Sequence, residues 1–197
     1  MGLLNDKGIF RRLDKDLLEC SQSFSCGNED LDEFFHFDCI PYAESLFGKS
    51  YCFTSVDCLD EIICAFTVSN ASIFTNYLPN ARKKKVGKEI PFLKRDLIYP
   101  AVLIGRLGIN IKYQQCHVGS ELMDFIKMWF LDSENKTGCR YLIVDAYNQT
   151  IPLSFYSKNG FEFIFNTEEQ EKEYRHIKTE TPLNTRLMYF DLIRLLN

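Results

Sequence analysis

Apolar positions recur along this chain with two different periods, and their alternation predicts a mixed α/β fold. "GIFRRLD" (8–14) reads as a short strand. "NEDLDEFFHFDC" (28–39) reads as a helix, because Asn28 is a suitable N-cap, acids fill the first turn, and Leu31, Phe34 and Phe35 share one face. Pro41 then breaks or restarts it. The β-branched and aromatic runs "KSYCFTSV" (49–56) and "EIICAFTVSN" (61–70), split by "DCLD", predict an antiparallel hairpin. "AVLIGRLGINI" (101–111) is apolar enough for a buried central strand. Behind it, Val118, Leu122, Phe125, Ile126, Trp129 and Phe130 stand at helical spacing. "RYLIVDAY" (140–147) is another buried strand, "IPLSFYSKNGF" (151–161) a short helix with Gly160 as its stop, and "RLMYFDLIRL" (186–195) a closing strand. With one strand after the short helix, the predicted order is β, α, β, β, β, α, β, α, β, β.

Composition narrows the class. At 197 residues, 46% hydrophobic and 14% aromatic, with no Gly/Ser- or Pro-rich linker, the chain is expected to form one globular domain over 1–197. "MGLLNDKGIF" lacks the form of a signal peptide and no run reaches about 18 apolar residues, so a cytoplasmic protein without a membrane span is expected. The eight cysteines contain no Cys-x-x-Cys pair and only three histidines accompany them, so no metal is expected. Cys52, Cys58 and Cys64 recur every six residues, an offset that repeats one face of a strand and suits small apolar core positions. A net charge of −4 argues against general polyanion binding, yet charge is segregated. Residues 82–95 carry seven basic residues (Arg82, Lys83, Lys84, Lys85, Lys88, Lys94, Arg95) and read as a basic loop, whereas "EEQEKE" (168–173) is acidic.

Candidate chemistry gathers where the central strand passes through a short loop into the long helix, at "GRLGINIKYQQCHVGSELM". Such a join collects unpaired N–H groups at the positive end of a helix dipole, where a pyrophosphate can bind with few cationic side chains. Gly119 allows the backbone to come close to a phosphate; it equally suits helix packing against a sheet.

These residues resemble the GNAT acyltransferase superfamily. Its acetyl-CoA signature is Q/R-x-x-G-x-G/A after a strand, and Gln114, Gln115, Cys116, His117, Val118 and Gly119, followed by Ser120 and the helix, match it except that His117 stands at the first glycine. "YLIVDAYNQTIPLSFYSKNGFEF" resembles the family's following strand, its F-Y-x-x-x-G-F helix and the next strand. The resemblance implies a central mixed sheet with helices on both faces and a splayed strand pair that binds acetyl-CoA, with no metal. It implies pantetheine contacts from Leu107, Gly108 and Ile109, and from Asn148 or its neighbour Gln149. It implies a further cofactor contact from Gln114, the pyrophosphate over residues 115–120, and Tyr156 as the acid that protonates the departing sulfur. The N–H of Ile109 would polarise the thioester carbonyl. The general base stays unassigned, Asp145 being one candidate.

"FSCGNEDLDEFF" (24–35), the basic insertion before "IPFLKRDLIYPAVLIGRLGI", and "TPLNTRLMYFDLIRLL" (181–196) extend the resemblance to acetyltransferase toxins of toxin–antitoxin pairs. That implies an aminoacyl-tRNA acceptor and a ribbon-helix-helix antitoxin as partner; the basic run, with Lys83, Lys84 and Lys85, reads either as the footprint of an RNA backbone or as a solvated loop or other docking surface. The expected function is acetyl transfer from acetyl-CoA to an amine, with the tRNA-directed toxin and a non-catalytic cofactor-binding module as alternatives.

Overall fold

A computed structural model of the protein describes residues 2–88, 90, 98–135 and 137–196. The expected hairpin is present: β2 (Lys49–Ser55) and β3 (Ile62–Phe74) pair antiparallel, with Cys52 opposite Ala65, and β1 (Gly8–Arg12) pairs antiparallel on the other side of β2. A register shift at Phe53/Thr54 interrupts the β2–β3 ladder. β4 is Ile98–Ile109, β5 Tyr141–Tyr147, β6 Glu162–Phe163 and β7 Thr185–Asp191, and the strand order in the sheet is β1-β2-β3-β4-β5-β7-β6. All seven expected strands are therefore present.

The chain divides into two units, residues 1–69 with 104–129, and residues 70–103 with 130–197. In the first, α1 (Leu3–Lys7) starts on the Glu121 carboxylate, which accepts from the N–H groups of Leu3 and Leu4 and so satisfies two of the donors a helix start leaves free. α2 is Lys15–Cys20, capped by Asp14. α3 (Glu29–Glu33) is capped by Asn28 as the sequence suggests. A π turn over Phe34–Asp38, closed by the Cys39 N–H on the Phe34 carbonyl, carries the chain into α4 (Cys39–Glu44). Pro41 does not end the helix. The widened turn lies just ahead of it, where the helix must lose a hydrogen bond in any case. α6 (Val118–Leu131) buries Val118, Leu122, Met123 and Ile126 completely, while Phe125 packs tilted and Trp129 edge-on against Phe10 of β1, at centroid distances of 4.7 and 5.2 Å.

In the second unit, β5 and β7 pair antiparallel from Tyr141 opposite Asp191 to Tyr147 opposite Thr185, and β6 lies on the far side of β7. Tyr99, Tyr141, Phe165 and Tyr189 form its core with Val86. α7 is Thr150–Lys158, followed by Gly160 at φ 82°, the left-handed stop predicted for it. α8 (Glu168–Arg175) is tied down by Glu171, a fully buried carboxylate that accepts from Arg175, from Arg186 and from the N–H of Leu187.

The structure corrects the basic loop. Residues Asn80–Val86 form a helix, α5, and its Arg82 is buried, donating to the carbonyls of Phe163 and Ile164 and to the Asn166 side chain. A guanidinium among backbone carbonyls is paired inside the protein and cannot be part of a solvated face. Lys94 and Arg95 lie outside the described residues. The cysteine periodicity also resolves differently: Cys52 and Cys64 are core residues on neighbouring strands, but Cys58 sits in the turn between them, its thiol donating to the Asp60 carboxylate. Burial pushes the Cys52 thiol up to about 12. Among the described residues no helix is long and apolar enough to cross a membrane.

Candidate active site

The join between β4 and α6 in the first unit has an unusual backbone. After β4, Asn110 donates through its N–H to the Ile63 carbonyl and through its amide to the Ile62 carbonyl, which fixes where the strand ends. A single 3-10 turn, Ile111–Tyr113, follows. Gln115 then takes φ 63° and His117 φ 62°, two left-handed residues on either side of Cys116. Neither is glycine, and each left-handed non-glycine residue costs of the order of 1–2 kcal/mol. Alternation of this kind turns successive N–H groups toward one side and makes an anion-binding concavity. Among the described residues, the N–H groups of Gln115, Cys116, His117, Val118 and Gly119 find no acceptor, whereas those of Ser120 and Glu121 both go to the His117 carbonyl. The free donors thus coincide with the first turn of a 14-residue helix, whose dipole favours a negative charge at this end.

His117 occupies the position where the signature has its first glycine, and its φ of 62° lies in the left-handed region that favours glycine. Its carbonyl starts α6, a role independent of the side chain. Within the signature, Gln114 stands out for what its side chain holds, since its Nε2 donates to the carbonyls of Cys26 at 2.8 Å and Ile109 at 3.1 Å. Cys116 is exposed, and Val118 is buried under the loop as the first apolar residue of α6.

Leu107, Gly108 and Ile109 close β4, with Gly108 buried and the other two half-buried. Gly108 suits a close approach. A Cβ there would lie 3.1 Å from Cys26 Cβ and 3.2 Å from the Phe24 ring, so those side chains would have to give by a few tenths of an ångström to admit it. The segment at 24–27 therefore backs the strand on which pantetheine contacts were expected. Nothing in the sequence pattern alone marks that pairing, though the cysteine–glycine step at 26–27 is its trace.

In the second unit, Tyr156 lies in α7 next to Phe155 and Phe161, with ring centroids 5.1 and 5.5 Å away. Its side chain is half-buried and its phenol has no partner among the described residues; like any tyrosine it is protonated at neutral pH, and desolvation pushes it further up. Asn148, at the end of β5, has its amide engaged: Nδ2 donates to Glu168 Oε1 and to the Leu183 carbonyl, both at 3.0 Å. Its neighbour Gln149 is the N-cap residue of α7 and makes no side-chain capping bond. Asp145 is exposed and ion-paired with Arg175 at 2.7 Å. On α5, Lys84 is exposed, Lys83 half-buried, and Lys85 exposed but paired with Glu162.

No protein-family model matches the chain, and no curated protein matches it. Solved structures do. A mutant of KacT superposes with a TM-score of 0.69 at 19% identity, covering 96% of this chain and 98% of its own. AtaT complexed with acetyl-methionyl-tRNAfMet superposes at 0.62 with 20% identity, covering 96% and 98%. AtaTR bound with AcCoA gives 0.62 at 18%, covering 98% and 99%. Identities this low show the fold alone: over nearly its whole length the chain shares the fold of KacT and AtaT, the GNAT fold that the sequence led us to expect.

Proposed function

We propose that this chain is an acetyl-CoA-dependent N-acetyltransferase. The observation that carries the reading is the run of unpaired N–H groups from Gln115 to Gly119, shaped by two left-handed residues at the start of α6. Five donors and a helix dipole fit a pyrophosphate, and Gln115 to Ser120 would hold it. Leu107, Gly108 and Ile109 would line the pantetheine arm, and the Ile109 N–H would meet the charge that develops on the thioester oxygen. Bound acetyl-CoA supplies an activated acetyl group. Tyr156 holds a proton at neutral pH and would give it to sulfur as the carbon–sulfur bond breaks and the carbon–nitrogen bond to the amine forms. Gly119→Asp tests the reading directly. A carboxylate and a side chain amid those donors should lower acetyl-CoA affinity at least about 100-fold by calorimetry, since charge repulsion and steric blockage together exceed about 3 kcal/mol. Unchanged affinity in a folded variant would remove the site.

A narrower reading of the acceptor is supported by one further observation. The likeness to KacT and AtaT runs end to end, and AtaT has been captured with an acetylated aminoacyl-tRNA and with the antitoxin AtaR. We infer that the acceptor is the α-amino group of an aminoacyl-tRNA and that the chain pairs with an antitoxin of the ribbon-helix-helix kind. Labelled acetyl transfer into separate pools of aminoacyl-tRNA, peptides and small amines decides it. Label confined to the peptide or small-amine pools would discard the toxin reading and keep the enzyme.

A further inference from the structure

The segment Cys26-Gly27-x-x-x-Leu31-Asp32, which the acceptor and donor chemistry leaves unused, forms a turn that contacts the candidate loop from behind. Asp32, at the end of α3, accepts from the Ser25 hydroxyl at 2.7 Å and from the Cys26 N–H at 2.7 Å. The Ser25 hydroxyl in turn accepts from the N–H of Gly27, whose φ of 76° lets the chain reverse into Asn28. Asn28 caps α3, so the helix that carries Asp32 is fixed relative to the turn it grips. The turn's other face meets β4 and the loop at four points. The Ser25 carbonyl accepts from the Ile111 N–H at 2.9 Å, and the Cys26 carbonyl accepts from Gln114 Nε2 at 2.8 Å. Cys26 packs on Gly108, and Ile111 covers Gly27. Cys26 is a packing residue here: burial, then its hydrogen bond with Asp32, raises its thiol to about 11.

Asp32 thus grips the turn from one side, while on the other the turn's Ser25 and Cys26 carbonyls accept from Ile111 and Gln114 and Cys26 packs on Gly108, all in the stretch that leads into the left-handed loop. We propose that Asp32 is a positioning residue for acetyl-CoA binding, acting through the Ser25–Gly27 turn on Ile111 and Gln114. The inference rests on the acetyl-CoA reading above. It assigns the Cys-Gly-x-x-x-Leu-Asp pattern a reason: glycine for the reversal, aspartate to clamp it, and a cysteine small enough to sit against Gly108.

A double-mutant cycle on acetyl-CoA affinity, measured by calorimetry with the full chain, tests it. Asp32→Ala and Gln114→Ala should each weaken binding about tenfold, and the double variant should be little worse than either, because both break one chain of contacts. Independent effects would multiply to about 100-fold, and would overturn the proposal. Asp32→Asn keeps an acceptor for the Cys26 N–H and should bind more tightly than Asp32→Ala, a rescue that also serves if the alanine variant does not fold. Phe53→Leu, a core change away from the turn, should lower stability without weakening acetyl-CoA; equal weakening there would reduce Asp32 to a general fold residue and overturn the assignment. A wild type that fails to bind acetyl-CoA overturns the proposed activity, whereas a wild type that binds beside an Asp32→Ala variant that binds equally well overturns the role of Asp32 alone.

Discussion

Replacing His117 tests both the backbone path of the loop and the part the imidazole plays in it. At φ 62° His117 carries the cost of a left-handed conformation, about 1–2 kcal/mol for an L-residue. Glycine removes that cost but returns about 0.5–1 kcal/mol as extra freedom of the unfolded chain. The net for His117→Gly is a stabilisation of about 0.5–1 kcal/mol, and a chain of 197 residues shifts roughly 2–4 °C per kcal/mol, so Tm should rise about 1–4 °C. His117→Val should act in the opposite direction, because a β-branched residue tolerates this region least, and Tm should fall by about 2–8 °C for a loss of about 1–2 kcal/mol. The capping bonds from Ser120 and Glu121 end on the residue's carbonyl and survive both changes. Thermal unfolding without ligand reads the backbone, and calorimetry with acetyl-CoA reads the site. Glycine should bind as tightly as histidine if the donors are the N–H groups. A glycine variant that is less stable than wild type, with a valine variant that is equally stable, would refute the left-handed path. A stable glycine variant with acetyl-CoA affinity reduced about tenfold or more would mean instead that the imidazole contacts the phosphates.

Other expectations follow from single groups. Tyr156→Phe removes one proton and should lower kcat about 10²- to 10⁴-fold with acetyl-CoA affinity unchanged; wild-type turnover on the true acceptor would mean the sulfur is protonated elsewhere. Partial burial works to raise the Asp32 carboxyl, but the Cys26 N–H and Ser25 hydroxyl outweigh it and hold it below the ordinary carboxylate range. Asp32 therefore contributes stability that is complete above the unfolded carboxylate value of about 4 and is lost as pH falls through its lower folded value. The Tm gap between wild type and Asp32→Asn should accordingly be constant above about pH 5 and shrink below about pH 4; a gap independent of pH would contradict a charged clamp. Lys83→Glu with Lys84→Glu should weaken aminoacyl-tRNA binding and flatten its dependence on salt by up to about 0.9 in log–log slope per lysine lost, with acetyl-CoA affinity intact. Wild-type tRNA acetylation in that variant would remove α5 from the acceptor site.

Much of the fold was legible in the order of residues because it depends on period and punctuation. The seven strands, the amphipathic α6 with its buried Val118, Leu122 and Ile126, the Asn28 cap and the Gly160 stop are each written within a few consecutive positions. So is the strand–loop–helix join, since β4 ends at Ile109 and α6 begins at Val118, on either side of the loop the sequence marks. What the sequence could not show depends on partners far along the chain. Arg82 reads as one more cation in a basic run until Ile164, 82 positions later, supplies the carbonyl that buries it. Gln114 reads as a signature residue, but its amide is spent on Cys26, 88 positions earlier. His117 looks like a departure from the glycine pattern, yet a backbone anchored at Asn110 and by α6 holds the histidine in the left-handed region that glycine favours. Local pattern fixes which elements form, because helices and strands satisfy their own backbones over short stretches. Which charges are buried, which amides stay free and which loop is clamped were decided only when the tertiary structure brought distant carbonyls and carboxylates within hydrogen-bond reach.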